Sequence, residues 1–200
     1  MNAAGATSER VYDALKRLIL SGSIMPGERL EPAAFAEQLS SSVTPVRDAL
    51  HRLEGERLVS TRASEGFHLP IVTEPGLRDL YRWNAQLMRV IARSWPERAM
   101  PCHADSLPVD LHRATRAFFA LFAARSSNAE HGEQVDHAND RLSAARIAEA
   151  RVLNALEGEL RAMAVLFDRD VTSALLKAVD AYHRRRLAAT PAIVRALYQA

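Results

Sequence analysis

The 200-residue sequence predicts a mostly α-helical chain in two parts: a small N-terminal helical unit closed by a β-hairpin, then a larger all-helical bundle. Three observations predict it. Alanine is abundant and aromatic residues make up only 6% of the chain, which favours helix over sheet. Apolar residues recur at three- and four-residue spacing through most of the chain. Extended runs around a turn are confined to a short stretch near residues 58–69. At 48% hydrophobic and 25% charged, the chain can bury a core of one sizeable domain or two small ones.

The first helix is expected from Ser8, as N-cap, to Leu20, with Val11, Leu15, Leu18 and Ile19 on one face. Ser21-Gly22-Ser23 and Pro26-Gly27 stop it. A second helix fits Pro32–Leu39, with proline in its first turn and Phe35, Ala36 and Leu39 inward. Ser40-Ser41-Ser42 reads as a turn. A third helix is expected from Thr44 as cap and Pro45 as first residue, burying Val46, Ala49, Leu50 and Leu53. Arg47, Asp48, His51 and Arg52 fall on its opposite face. Leu58–Arg62 and Phe67–Leu69 flank the polar turn Ala63-Ser64-Glu65-Gly66 as a two-stranded hairpin. Three helices and a hairpin in this order form a winged helix-turn-helix, here placed at 1–75, with the helix-turn-helix about 32–53 and the wing about 58–70.

Residues 76–200 carry no strand signal. Thr73-Glu74-Pro75 caps a helix expected to run to about Ala99, with Leu77, Leu80, Tyr81, Asn84, Leu87, Met88 and Ile91 on one stripe. Pro101–Pro108 reads as a loop and Val109–Arg125 as a helix, broken by Ser126-Ser127-Asn128. Glu130–Phe167 fits one or two helices and Asp170–Ala188 another. Thr190-Pro191 then caps a last one, Ile193–Gln199.

Charge and motifs exclude several classes. The net charge is +2, from 26 basic and 24 acidic residues, so nucleic-acid binding would need a local patch. Lys16 and Lys177 are the lysines; every other basic residue is arginine. The single cysteine, Cys102, excludes a disulfide framework and a cysteine-cluster metal site. No run of apolar residues is long enough for a membrane span, and Met1–Ser8 has no signal-like apolar core, so a cytoplasmic protein is expected. No Gly-rich phosphate loop, Gly-x-Ser-x-Gly or His-Glu-x-x-His occurs, and Glu157 and Glu159 point apart on a helix, so an enzyme is not expected. Trp83 and Trp95 read as packing residues.

The third helix has the make-up of a groove reader. It buries one face and offers polar side chains on the other. Ser42 and Thr44 stand at its N-terminus, where hydroxyls, free N–H groups and the positive dipole end meet phosphate. Arg47 and His51 are i,i+4 neighbours. In the hairpin, Arg62 and the Gly66 turn suit a narrow minor groove or flanking phosphates.

Val11-Tyr12-Asp13-Ala14-Leu15, Ile19–Leu30 with its Pro26-Gly27, Thr44–Glu54 with Leu58-Val59, and Arg62 with Gly66-Phe67 together resemble GntR-type winged-helix regulators over residues 8–75. The remainder resembles the FCD effector domain of the FadR-like branch, with weaker motifs at Asn139–Leu142 and Tyr182–Arg186. The resemblance implies a homodimeric transcription regulator on a palindromic double-stranded operator, with a small-molecule effector in the C-terminal domain. It carries Thr44, Arg47 and Gly66 over as DNA-binding positions. Two positions depart: Val43 and Glu31 stand where the family usually has arginine. The alternative reading is therefore a helical ligand-binding or interaction protein whose winged helix has lost specific DNA binding.

The FCD resemblance also implies a buried divalent metal, held by an aspartate and a histidine one turn apart plus two further histidines. The matching pair here is Asn139 and Ser143, with His183 as one distal position. These three are the expected effector pocket, and no metal or other cofactor is expected. Glu133 and His137 have chelating spacing but lie on another side of the helix. His103, His112, His131 and His137 read as surface or loop histidines.

Overall fold

A computed structural model describes residues 3–96 and 107–199 and divides the chain into two units, Met1–Val72 and Thr73–Ala200. In the first, α1 (Ala3–Leu20) packs on α3 (Val43–Gly55), with the short α2 (Pro32–Gln38) beside α3. Val11, Leu15, Leu50, Leu53 and Phe67 are among its core residues, on the faces that periodicity predicts. Strands β1 (Arg29–Leu30), β2 (Ser60–Arg62) and β3 (Gly66–His68) form an antiparallel sheet in the order β1-β3-β2.

Three details of this unit differ from expectation. Helix α1 begins at Ala3, so Ser8 is inside it rather than its cap. Helix α3 begins at Val43, with Ser42 in the extended cap conformation; Thr44 is helical, and Pro45 still falls in the first turn, where its missing N–H is harmless. The wing has three strands, not two. The Pro-Gly loop returns Arg29 opposite His68 and Leu30 opposite Phe67. Gly27, at φ +90°, makes that return possible, and its N–H donates to Leu69 O at 2.9 Å.

The second unit is helical throughout its described residues: α4 (Glu74–Arg93), α5 (Leu111–Ala124), α6 (Ala129–Arg141), α7 (Ser143–Glu149), α8 (Leu156–Asp168) and α9 (Thr172–Leu197). Thr73 caps α4 by accepting from Gly76 N, and the whole stripe from Leu77 to Ile91 is buried. Phe118, Phe119 and Phe122 form the aromatic centre with Phe167 and Tyr182. Trp95 packs there too, whereas Trp83 is 45% exposed.

The helix ends moved. Helix α4 stops at Arg93, not Ala99, and Asp110 caps α5 by accepting from Arg113 N. Ala99, and residues 101–106 of the expected loop with Cys102 and His103, lie outside the described residues. The span 130–167 holds three helices. Ala155, at φ +55°, enters α8 in the left-handed conformation without a glycine to announce it. Thr190-Pro191 is no cap: α9 runs through Pro191. Burial of Thr190, Ile193 and Ala196 holds the last turns in place, and Thr190 Oγ1 donates to Arg186 O at 3.0 Å.

Candidate nucleic-acid interface and a buried polar cluster

The expected DNA-facing residues lie at the start of α3 and along it, and in the wing. Ser42, Val43, Thr44, Arg47 and His51 are exposed along α3. The Ser42 hydroxyl makes no capping bond, so the first-turn N–H groups stay open to an outside acceptor such as phosphate. Arg47 has no ion-pair partner among the described residues. Arg52 is exposed, as read from sequence, but it is also engaged. Its guanidinium stacks 3.8 Å from the Tyr12 ring centre and pairs with Glu9 at 2.9 Å.

His51 faces outward but is held. Its Nδ1 lies 3.3 Å from Glu54 Oε2, and its ring meets Phe67 of β3 edge-on at 4.9 Å. Glu54 Oε1 accepts Thr61 N of β2 at 3.1 Å, which holds the Glu54 carboxyl below its ordinary range. Glu54 thus ties the helix to the wing. Sequence reading missed it, although its position one turn after His51 was the available signal. At the wing, Arg62 pairs opposite Gly66 in the sheet register, and its guanidinium lies 3.6 Å from Glu65. Gly66 adopts φ +82°, a conformation that costs a side chain strain. Glu31 pairs with Arg29 at 2.8 Å.

The second unit encloses a polar cluster. Asn139, Ser143 and His183 are each at most 5% exposed, on α6, α7 and α9. Asn139 donates to Arg116 O at 3.2 Å and accepts from Arg146 Nη1 at 2.7 Å. Ser143 Oγ lies 3.3 Å from Nε2 of His112, a half-buried histidine that borders this cluster. His183 Nδ1 lies 2.7 Å from Val179 O, while its Nε2 has no partner. Burial, seconded by Arg186 and Arg146, pushes the His183 pKa down to about 4, so the ring is neutral and Nδ1–H is the donor to Val179.

Arg146 and Glu149 of α7 are the residues that sequence reading missed. Both share the face of Leu142, at i+4 and i+7, and that spacing was the signal. Glu149 accepts from Tyr81 at 2.6 Å and from Arg186 at 2.9 Å, while Arg186 also binds Glu159 at 2.6 Å. His112, Thr115, Arg146, Glu149, Tyr182 and Arg186 line a cavity with room for about one water molecule.

The implied metal does not fit these residues. Asn139 and Ser143 supply neither negative charge nor imidazole. The Asn139 oxygen is taken by Arg146, whose own positive charge opposes a divalent ion. His183 alone has the arrangement of a ligand, with one nitrogen fixed by a carbonyl and the other free. Glu133 and His137 are exposed on α6.

Comparison with known proteins shows what the first unit resembles. Residues 7–69 match the family described as bacterial regulatory proteins, gntR family. The N-terminal unit is similar to that family over residues 7–69. The match spans the helix-turn-helix and the wing together, and the family is described as one of bacterial regulatory proteins. The chain is 22% identical over 152 residues to the HTH-type transcriptional regulator YdhC of Bacillus subtilis, covering 68% of each. It is 37% identical over 82 residues to the Nta operon transcriptional regulator of Aminobacter aminovorans, covering 41% of this chain and 39% of that protein. Over nearly the whole chain there is also a likeness of fold. A GntR transcriptional regulator of Rhodococcus sp. RHA1 superposes with a TM-score of 0.77 at 16% identity, over 94% of this chain and 98% of that one.

Proposed function

We propose that the chain is an effector-controlled transcription regulator that binds a palindromic DNA operator as a homodimer. The observation that carries this reading is the uncapped start of α3, with Thr44, Arg47 and His51 exposed beside a wing ending in Arg62 and Gly66. Open N–H groups and Ser42 position the helix on phosphate, Arg47 reads a base edge or a phosphate, and the wing reaches the flanking groove. A single winged helix with so local a patch makes too few contacts for specific affinity at physiological salt, which supports the dimer. The second unit is the FCD-type effector domain. Its Asn139–Ser143–His183 region, metal-free, is the effector pocket, and its enclosed polar cluster supports that reading. No described helix is long and apolar enough to cross a membrane.

Val43, 38% exposed at the start of α3, and Glu65 at the wing tip favour the second reading, a winged helix without specific DNA binding. Selection of binding sites from random duplex DNA with the purified chain separates the two. A recovered palindrome supports the operator reading, and an unenriched pool overturns it.

A further inference from the structure

Helix α3 and the wing are joined at two levels. At the root of the wing the joint is apolar: Val59 and Leu69 bury in the same core as Leu50 and Leu53 of α3. Near the tip it is polar and turns on one side chain. Glu54 Oε1 accepts from Thr61 N at 3.1 Å, and Glu54 Oε2 lies 3.3 Å from His51 Nδ1. The His51 ring in turn meets Phe67 edge-on at 4.9 Å. Thr61 and Phe67 stand opposite each other in the sheet, so His51 and Glu54 grip the two residues of a single rung. The next rung, Arg62 opposite Gly66, is the last before the turn. Strand β2 is an edge of the sheet, where backbone N–H groups lack a neighbouring strand, and Glu54 supplies the acceptor for one of them. Arg47, His51 and Glu54 follow one another at i, i+4 and i+7, along one stripe of α3. A carboxylate on a stripe that meets DNA opposes phosphate by its charge, so what Glu54 contributes there comes from its hydrogen bonds.

We propose that Glu54 is a positioning residue for DNA recognition: it touches no DNA itself, and by holding Thr61 and His51 together it sets how far the wing tip with Arg62 reaches along the duplex from Arg47. The proposal rests on the operator reading of α3 and the wing, and adds to it the residue that couples them. The coupling depends on the length of the side chain, not on its charge. Glutamine keeps an Oε1 at the same distance from the backbone and still accepts from Thr61 N. Aspartate keeps the charge, but its side chain is one methylene shorter and does not span to Thr61 N. A purely electrostatic role inverts that order: glutamine would tighten DNA binding by removing a repelling charge, and aspartate would behave as wild type.

The test is a titration of the full chain with the duplex that the wild type enriches from random DNA. Glu54→Asp weakens binding about fivefold, the scale of one net hydrogen bond, and Glu54→Gln binds as the wild type does. Combined with Arg47→Ala, Glu54→Asp adds its loss in full. Combined with Arg62→Ala it adds almost nothing, because the wing tip then has no contact left to position. Hydrogen exchange on the free chain reads the same coupling without DNA: the Thr61 amide is protected in wild type and Glu54→Gln and exchanges faster in Glu54→Asp. The proposal is overturned if Glu54→Gln loses as much affinity as Glu54→Asp, if Glu54→Asp weakens Arg62→Ala as much as it weakens wild type, or if Thr61 exchanges equally in all three chains. A wild type that enriches no duplex overturns the operator reading and the recognition role of Glu54 with it, while faster Thr61 exchange in Glu54→Asp still establishes the bond between helix and wing.

Discussion

The Arg52 guanidinium lies 3.8 Å from the centre of the Tyr12 ring, while Arg47, on the same helix, has no partner among the described residues. Two arginines five residues apart therefore have separable roles. Arg47→Ala should weaken operator binding at least tenfold and leave stability within about 0.5 kcal/mol, because it removes an exposed side chain. Arg52→Ala should cost about 1 kcal/mol of stability, mainly through lost stacking on Tyr12. Urea unfolding and a DNA titration on both variants check this. Unchanged DNA affinity in Arg47→Ala would show that α3 is not the reader.

Val43 is exposed at the first position of α3, next to the open N–H groups. Val43→Arg should tighten non-specific DNA binding and steepen its salt dependence by about one unit in log–log slope, the contribution of one added phosphate contact. An unaltered slope would place position 43 away from the backbone.

His183 makes stability depend on pH. Its folded pKa of about 4 lies below the ordinary 6.5 because burial opposes the charged ring. At pH 7 the ring is mostly neutral in both folded and unfolded chains. As pH falls through 6.5 the unfolded chain takes up a proton that the folded chain refuses until near pH 4, so stability is lost across that window. The full loss is roughly 3 kcal/mol. Unfolding free energies at pH 7 and pH 5 should differ by about 2 kcal/mol from this group, and His183→Gln should remove this part of the difference. Equal pH dependence in the variant and wild type would show that His183 is not its source.

Protein purified without chelator should carry no stoichiometric divalent metal, because Arg146 binds the Asn139 oxygen and repels a cation there. Elemental analysis decides it. One equivalent of zinc, nickel or manganese per chain would place the ligands elsewhere, with Glu133, His137 and Asp140 the first to test.

What the sequence made legible follows from what kind of force fixes each part. The buried faces of α3 and α4 were readable because apolar spacing alone specifies them; every stripe residue from Leu77 to Ile91 is buried. The ends were less readable. Ala155 turns the chain in a left-handed conformation that carries no glycine, and Pro191 sits inside a helix that burial of Ile193 and Ala196 sustains. Of the surface site, the exposed positions Ser42, Thr44, Arg47 and His51 were legible. Glu54, which joins His51 to Thr61, was not, because that bond crosses from helix to strand. In the second unit Asn139, Ser143 and His183 were singled out by resemblance, and they are buried together with polar partners. Arg146 and Glu149 were passed over because charged residues on an apolar face are ordinarily read as solvated, and their partners come from α6, α4 and α9.

The strand Arg29–Leu30 makes the wing a composite of two distant stretches of chain. Arg29 pairs opposite His68, Leu30 opposite Phe67, and Leu69 N donates to Glu28 O at 2.8 Å. A hairpin transplanted alone from a relative would arrive without its third rail. Chimeras that exchange 58–70 should keep their groove-facing geometry only when 27–30 travels with it, so the portable unit of specificity in this fold is discontinuous.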